Sequence, residues 1–189
     1  MIIALYGGSF NPPHVCHLLA ATWALAAHPI EQFWVAPVWQ HPLGKPLAAS
    51  FDDRLALCRM NFAVLGTRVR VIEDERDGTG RTLDLLDRLQ VRNPEDHFRL
   101  VIGSDILQEA GRWYRFEEVV RRAPPLVLGR AGYAIPDGFV GEAAPLVLPE
   151  LSSSAVRNAL AAGQLPKGWL TADVEAEIHR RGLYQAPKA

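Results

Sequence analysis

The chain has 189 residues, of which 49% are hydrophobic and 22% are charged, and its formal net charge is −1. This length and apolar content suffice for one hydrophobic core, so we expect a single domain over residues 1–189. The balanced charge argues against a nucleic-acid-binding surface, because such a surface needs clustered lysine and arginine.

The cysteines and the apolar runs indicate the compartment. Cys16 and Cys58 lie in separate apolar segments, and two cysteines are too few for a disulfide-stabilised fold. The apolar start of the chain is short and lacks the basic leader of a signal peptide. The longest apolar run, LLAATWALAA, is much shorter than a membrane span. We therefore expect a cytoplasmic protein with no membrane partner.

Short strands alternate with helices along the whole chain. Apolar and β-branched runs predict strands at residues 2–6, 33–38, 68–75, 98–105, 125–130 and 144–149. Helical patterns predict helices at residues 15–28, 51–65, 82–90, 116–123, 152–163 and 171–182. This alternation is typical of crossover connections, so the sequence predicts an α/β fold with an open parallel sheet.

Capping residues support several of these helix ends. Ser50, Ser152 and Thr171 are predicted N-caps, because their hydroxyl groups can accept a hydrogen bond from the first turn. Gly163 and Gly182 are predicted C-caps, where glycine tolerates the left-handed conformation.

Polar segments follow most of the predicted strands. In an open parallel sheet, ligands bind outside the carboxyl ends of the strands. We therefore expect the loops that carry His14, Lys45, Asp105 and Ser152 to converge on one cleft. The segments are GGSFNPPHVCH, QHPLGK, DGTGR, GSD and LSSSAVR.

The first segment, GGSFNPPHVCH, offers three interpretations. Gly7 and Gly8 let backbone N–H groups approach a phosphate at the start of a helix, although neither the dinucleotide fingerprint nor the P-loop pattern matches. His14 and His17 lie three residues apart and can share one ligand. With Cys16 nearby, zinc is an alternative, but no second ligand pair exists in the sequence. Ordinary capping or packing of the histidines is the third interpretation.

The segment LSSSAVR is a second candidate anion site. Three serine hydroxyls at a helix start, with Arg157 in the first turn, combine donors, a helix dipole and a fixed cation. Serines are also ordinary N-caps, so this segment alone does not distinguish ligand binding from capping.

Together these segments resemble a known superfamily. GGSFNPPHVCH resembles the G-G-S/T-F-D/N-P-x-H-x-G-H opening of the nucleotidylyltransferases, and LSSSAVR resembles their I-S-S-T-x-I/V-R segment. The stretch VIGSDILQEAGRWYRFEEVV is similar to the middle of the nicotinate-nucleotide adenylyltransferases. The resemblance implies a Rossmann-like, doubly wound sheet in a single domain, with C-terminal helices in residues 151–189 that complete an ATP site.

The resemblance also assigns roles to individual residues. Those that would hold the triphosphate and stabilise the departing charge are His14, His17, Lys45 and Arg157. The ATP-binding positions would be Gly7, Gly8, Ser9, Phe10, Cys16, Gly103, Asp105, Ser152 and Ser153. The acceptor substrate would contact Thr79, Trp113 and Tyr114, and an indole face suits an electron-poor pyridine ring. For the two aromatic residues, core packing is the alternative.

Two residues depart from the family pattern. Cys16 stands where the family has the glycine that lets adenine approach the helix backbone, and Gly78 stands where the family has a tyrosine before Thr79. If Cys16 crowds the adenine, Cys16→Gly should strengthen ATP binding or raise turnover.

The implied reaction is adenylyl transfer from ATP to nicotinate mononucleotide, which yields deamido-NAD and pyrophosphate. The attacking phosphate is already an anion, so alignment and charge neutralisation suffice and no general base is needed. Mg²⁺ would be held mainly by the phosphates rather than by a protein metal site. The alternatives are another adenylyl- or cytidylyltransferase with an acceptor such as pantetheine phosphate, a nucleotide-binding module that has lost turnover, or a structural protein without a ligand.

Overall fold

The computed structural model describes residues 1–136, 139 and 141–185. Its strands are β1 (Ile2–Gly8), β2 (Gln32–Pro37), β3 (Val69–Val71), β4 (His97–Gly103), β5 (Pro125–Arg130) and β6 (Glu142–Leu148). They form one sheet in the order β3-β2-β1-β4-β5-β6, and each neighbouring pair is parallel. The first three strands extend the sheet to one side and the last three to the other. The Rossmann-like, doubly wound fold is therefore confirmed.

Helices cover both faces of this sheet. They are α1 (Val15–Ala27), α2 (Phe51–Phe62), α3 (Thr82–Arg92), α4 (Ser104–Gln108), α5 (Phe116–Arg122), α6 (Ser153–Ala161) and α7 (Ala172–Arg181). One core layer packs α1, α2, α6 and α7 against the sheet, and the other packs α3 and α5. Within β1, Ala4 faces the first layer whereas Ile3 and Leu5 face the second, as the alternation of side chains along a strand requires.

Two of the predicted N-caps form as expected. The Ser50 hydroxyl accepts a hydrogen bond from the Asp53 N–H at 3.1 Å, and the Ser152 hydroxyl accepts one from the Ala155 N–H at 3.2 Å. Thr171 occupies the N-cap position of α7, but its hydroxyl makes no capping hydrogen bond. The predicted helix starts are therefore correct to within one residue.

Both glycines predicted as C-caps adopt the left-handed conformation at or near a helix end. Gly182 caps α7 in the left-handed conformation, with φ of 64°. Gly163 is also left-handed, with φ of 66°, but it lies one residue beyond the cap residue Ala162. Helix α2 ends at Phe62, three residues before its predicted end, and a 3-10 segment continues to Arg68.

Two predicted strand ends are wrong. The third strand was expected over residues 68–75, but β3 ends at Val71. The fourth was expected to include Asp105, but β4 ends at Gly103 and Asp105 lies in the first turn of α4. A Cβ atom on Gly103 would collide with the Asp105 carboxylate and would lie 2.8 Å from Cδ of Arg130. A side chain at position 103 would therefore displace the side chains of Asp105 and Arg130.

None of the helices in residues 1–136 and 141–185 combines the length and the apolar character that a bilayer span requires.

Candidate active site

A cavity of about 470 Å³ opens at the carboxyl end of the sheet, at the point where β1 and β4 lead in opposite directions. This is the place where open α/β sheets bind their ligands. Four short segments contribute to its lining, namely residues 7–9, 41–43, 80–82 and 112–114. The cavity therefore joins the glycine turn after β1 to the tryptophan and tyrosine that follow α4.

The glycine turn is shaped by the side chain of Phe10. A Cβ on Gly8 would lie 3.3 Å from the Phe10 ring, whereas a Cβ on Gly7 would have no atom within 4 Å. Phe10 is buried, has a positive φ of 44°, and packs edge-on against Tyr6 and His17 at centroid distances of 5.4 and 4.9 Å. Gly7 and Gly8 thus line the cavity, while Phe10 supports the turn from below.

A buried arginine, Arg54, holds this turn to the loop after β2. Its guanidinium donates hydrogen bonds to the carbonyl oxygens of Ser9 at 2.9 Å, Val38 at 2.8 Å and Ala49 at 3.3 Å. Only 1% of the residue is exposed, and burial lowers its pKa. No role for Arg54 was predicted from the sequence. Its signal is its spacing, three residues after Phe51 and four before Cys58, which places it on the buried face of α2.

The two histidines stack on one another at the start of α1. His14 is the N-cap, and its ring centroid lies 3.8 Å from that of His17. The backbone N–H of His14 donates to Nδ1 of His17 at 3.0 Å. Because Nδ1 is an acceptor, neutral His17 carries its proton on Nε2, where it can be donated to a ligand.

Both histidines are neutral in the free protein at pH 7. Burial, and secondarily the positive charge of Arg130, lower the pKa of His14 to about 3. Burial, then His14 and Arg130, also lower the pKa of His17 well below its ordinary value. The Nδ1 atom of His14 is buried without a hydrogen-bond partner among the described residues. The pair therefore presents N–H groups and a free acceptor rather than permanent charges.

The lowered pKa of His14 predicts a pH-dependent stability. As the pH falls below about 6.5, the ordinary pKa of histidine, His14 becomes protonated in the unfolded chain but stays neutral in the folded protein. The free energy of unfolding should therefore fall by about 2 kcal/mol between pH 7 and pH 5 because of this residue alone. Chemical denaturation at both pH values measures the effect, and the variant His14→Gln should lack this contribution. Equal pH slopes for the two proteins would contradict the assignment.

Arg130, at the end of β5, is a cation of the site that sequence analysis missed. Its Nε lies 3.7 Å from the Asp105 carboxylate, and its Nη2 donates to the Leu151 carbonyl at 3.0 Å. Its backbone N–H donates to the buried Ser104 hydroxyl at 2.9 Å. Arg130 therefore connects α4 to the segment before α6, and its charge acts on both histidines.

Helix α6 packs against the first loop. The Ser153 hydroxyl donates to the carbonyl of Pro12 at 2.8 Å, and the Arg157 guanidinium donates to the carbonyl of Asn11 at 2.7 Å. Ser152 is exposed and its hydroxyl caps the helix. The last motif thus packs against the first, and Arg157 has a structural role there. His14, Lys45, Asp105 and Ser152, whose loops were expected to converge on one cleft, are not among the residues that line the cavity.

The loop after β2 places a different basic residue in the cavity than expected. Lys45 is exposed and does not line the cavity, whereas His41 and the next two residues do. The His41 Nδ1 atom accepts a hydrogen bond from the Leu43 N–H at 3.1 Å. Burial, and secondarily Lys45, lower the pKa of His41. The loop thus presents a neutral imidazole to the cavity, with a lysine outside it.

The turn before α3 also differs from the expectation. Thr79 is exposed and lies outside the cavity lining, because its hydroxyl donates to the Asp84 carboxylate at 2.5 Å. Arg81 and Thr82 line the cavity instead. The residues of this turn that line the cavity therefore lie two and three positions after Thr79.

Trp113 and Tyr114, the residues predicted to contact the acceptor, line the cavity wall. Trp113 packs edge-on against Phe116 at 5.6 Å, and Tyr114 is 48% exposed. Core packing, the alternative for this pair, describes Trp113 only in part, because Trp113 packs against the second core layer and also lines the cavity. Both rings can therefore stack with a flat aromatic ligand.

Comparison with known proteins identifies the family. The cytidylyltransferase-like family matches residues 5–159. A protein of Anaeromyxobacter sp. strain K, named probable nicotinate-nucleotide adenylyltransferase, is 41% identical over 187 residues, covering 97% of this chain and 96% of that protein. This chain belongs to the nicotinate-nucleotide adenylyltransferase family. A relative of the same name from Myxococcus xanthus DK1622 is 39% identical over 96% of this chain and 94% of its own length.

Solved structures show the fold of this family member. The Plasmodium falciparum nicotinic acid mononucleotide adenylyltransferase complexed with NaAD aligns with a TM-score of 0.82, at 20% identity, over 97% of both chains. The same enzyme complexed with APC aligns with a TM-score of 0.79, at 20% identity, over 97% of this chain and 96% of that one. Both comparisons support the doubly wound fold.

Gly78, where this family member departs from the expected tyrosine, has a local structural reason. A Cβ at Gly78 would lie 2.8 Å from the Glu75 carbonyl oxygen and 3.1 Å from Nη2 of Arg88. Glu75 is itself 1% exposed, lines the cavity, and pairs with Arg88. Burial raises the pKa of Glu75. A larger residue at position 78 would therefore displace this buried ion pair.

Cys16, the other departure in this family member, is turned into the core. It is 1% exposed, and its Sγ donates to the Pro149 carbonyl at 3.7 Å. Burial raises the pKa of its thiol, so the side chain stays neutral. A side chain with almost no exposed surface cannot make extensive contact with an adenine ring. The expectation that Cys16 crowds the nucleotide therefore has no support in the packing of this side chain.

Cys16→Gly is expected to lower the free energy of unfolding by about 1–2 kcal/mol. The substitution removes the buried Cys16 side chain, and glycine has a lower helix propensity than cysteine. ATP affinity should stay within about twofold, since the Cys16 side chain packs against the core rather than against the cavity. Thermal unfolding and ATP titration measure the two effects separately. Cys16→Ala removes the sulfur but restores helix propensity, so it should lie between glycine and wild type. A clear gain in ATP affinity for Cys16→Gly would restore the crowding hypothesis.

Proposed function

We propose that the protein transfers the adenylyl group of ATP to nicotinate mononucleotide, producing deamido-NAD and pyrophosphate. The observation that carries this proposal is the cavity, which joins Gly7, Gly8 and Ser9 to Trp113 and Tyr114. The stacked His14 and His17 lie at the start of α1, the helix that follows the glycine turn. Phosphates suit the first end and a pyridine ring suits the second. The 41% identity to a protein named for this activity supports the same conclusion.

The reaction depends on alignment of the two reacting phosphates more than on general acid or base catalysis. An oxygen of the acceptor 5′-phosphate forms a bond to the α-phosphorus of ATP, and the bond from that phosphorus to the β-phosphate bridge oxygen breaks. The bonding electrons leave with pyrophosphate, so charge accumulates there. Neutral His17 donates its Nε2 proton as a hydrogen bond to this charge, while His14 fixes its tautomer. Preorganised donors of this kind stabilise the transition state without reorganising.

The ATP side would be built from the two ends of the chain. The backbone at Gly7, Gly8 and Ser9 would approach the phosphates, with Phe10 as support. The hydroxyls of Ser152 and Ser153, with Arg157, lie in the helix that packs against this turn. In this proposal the C-terminal helices of residues 151–189 complete the ATP site of a single domain.

Other cations and acids would complete the nucleotide contacts. Lys45 lies on an exposed loop beside the cavity and would reach the triphosphate from outside. Asp105, in the first turn of α4 directly after β4, would contact the ATP ribose, as the resemblance to the family implies. Arg130, next to Asp105, would add positive charge near the histidines.

A divalent metal fits this site only as a companion of the phosphates. The described residues contain no group of three or more histidine, cysteine, aspartate or glutamate side chains that could hold a metal ion. Mg²⁺ prefers oxygen ligands and usually keeps several of them from phosphates and water. When bound, it would supply charge neutralisation of the leaving pyrophosphate. The absence of a membrane-spanning helix among the described residues is compatible with a cytoplasmic location, which we propose.

Pyrophosphate release tests the proposed function. The protein is incubated with ATP and Mg²⁺ and, in parallel, with nicotinate mononucleotide, nicotinamide mononucleotide or pantetheine phosphate; CTP replaces ATP in a further set. The proposal expects the fastest release with ATP and nicotinate mononucleotide. Faster release with pantetheine phosphate or CTP would assign a different transferase of the superfamily. ATP binding without release would indicate a nucleotide-binding module.

A further inference from the structure

Arg81 stands at the aromatic end of the cavity. It is the N-cap residue of α3, and its side chain lines the cavity together with Trp113 and Tyr114. The guanidinium carbon lies 4.6 Å from the centroid of the Tyr114 ring. A cation over an aromatic face is attracted by the ring quadrupole. The guanidinium is thus held beside the surface on which a flat ligand would stack.

The charge of Arg81 is not compensated by the protein. Within residues 1–136 and 141–185, no carboxylate lies within salt-bridge distance of its guanidinium, whereas Arg112 at the same end pairs with Glu109 at 3.7 Å. Arginine carries its charge at every accessible pH and binds carboxylates through two parallel hydrogen bonds. The aromatic end of the cavity therefore presents one guanidinium that lacks an acidic partner.

The backbone around Arg81 leaves it little freedom. Gly80 has φ of +75°, and a Cβ there would collide with the carbonyl oxygen of Gln40. The Gln40 side chain donates to the Gly78 carbonyl at 3.1 Å, and the Arg81 N–H donates to the Thr79 hydroxyl at 3.1 Å. The turn is thus fixed against the loop after β2. A side chain that is positioned before binding loses less entropy when it binds.

On the basis of the proposed function, we propose that Arg81 determines specificity by pairing with the ring carboxylate of the acceptor. In the proposed function the acceptor phosphate meets ATP at the end of the cavity lined by Gly7, Gly8 and Ser9. A ring stacked at Trp113 then lies at the other end, beside Arg81. A carboxylate there neutralises the free guanidinium with charge-assisted hydrogen bonds. A carboxamide leaves its charge uncompensated, so the site distinguishes the acid from the amide.

The test compares acceptors in Arg81→Gln. KM for nicotinate mononucleotide should rise about ten- to a hundredfold, the range for removing one charge-assisted pair. The kcat should change less than threefold, because the interaction is distant from the reacting phosphates and stabilises ground and transition states alike. KM for nicotinamide mononucleotide should change little. Arg81→Lys keeps the charge without the fork and should be intermediate.

Two further arginine variants serve as controls that show whether the effect is specific to Arg81. Arg92→Gln alters an exposed arginine at the other end of α3, paired with Asp74, and should leave both acceptors unaffected. Arg112→Gln changes the arginine that already has an acidic partner, and discrimination between acid and amide should persist. Loss of discrimination in Arg112→Gln but not in Arg81→Gln would overturn the proposal.

The outcomes also separate this inference from the proposed function. A wild-type protein that uses neither pyridine mononucleotide would disprove the function itself. A wild-type protein that prefers nicotinate mononucleotide, with the same preference in Arg81→Gln, would disprove only the role of Arg81. Calorimetric titration of nicotinate mononucleotide without ATP gives a second readout, in which Arg81→Gln should weaken binding by the same factor as KM. Unchanged affinity there would likewise contradict the inference.

Discussion

Replacing His17 with alanine is expected to lower kcat by about two to three orders of magnitude at saturating ATP and acceptor, the range for removing one preorganised donor. The reason is the fixed tautomer: the His14 N–H occupies Nδ1, so Nε2–H is the donor that the alanine lacks. Steady-state pyrophosphate release measures the change.

The matched control is His97→Ala. His97 is exposed at the first residue of β4, at the end of the sheet away from the cavity, so its replacement should leave kcat unchanged. Thermal unfolding of both variants shows whether the fold persists. A folded His17→Ala protein with wild-type kcat would return the histidine pair to a purely packing role.

Arg54→Met is expected to lower the free energy of unfolding by about 3 kcal/mol. Each buried carbonyl that loses its hydrogen-bond donor costs about 1–3 kcal/mol. Removing the buried positive charge recovers part of this cost, because that charge no longer has to be desolvated. Methionine keeps most of the aliphatic length but donates no hydrogen bond. The carbonyls of Ser9, Val38 and Ala49 lose their donor together. Activity should fall as well, because Ser9 belongs to the turn that lines the cavity.

Arg59→Met is the control on the same helix. Arg59 is largely exposed and pairs with Glu73 on the surface, where an ion pair contributes at most about 1 kcal/mol. Urea denaturation of the two variants gives the comparison. Equal midpoints for Arg54→Met and the wild type would show that Arg54 does not hold the two loops together.

Periodicity and local motifs were sufficient to predict most of the fold. All six strands and their parallel arrangement followed from short apolar or β-branched runs alternating with helices. The signal is clearest in β1 and β2, which lie inside the sheet and carry mostly apolar side chains. Ser50 and Ser152 marked helix starts since N-capping is a local interaction. The position of Trp113 and Tyr114 at the cavity was predictable from the resemblance to the family.

Long-range geometry explains what the sequence did not reveal. Whether Thr79 or Thr82 faces the cavity depends on a turn set by Gly80, whose surroundings belong to a loop about forty residues earlier. The same is true of the loop after β2, where His41 lines the cavity and Lys45 does not. No sequence motif surrounds Arg130. Its place in the site depends on its contacts with Asp105 on α4 and with the Leu151 carbonyl before α6.

The fate of the α-phosphorus of ATP tests the central claim most directly. ATP labelled at this phosphorus is incubated with the protein, Mg²⁺ and nicotinate mononucleotide, and the products are separated by mass. The account predicts that the label appears in a dinucleotide with the mass of deamido-NAD, in equal amount to the unlabelled pyrophosphate released. Label recovered only in AMP or ADP, or retained in ATP, would contradict adenylyl transfer by this cleft.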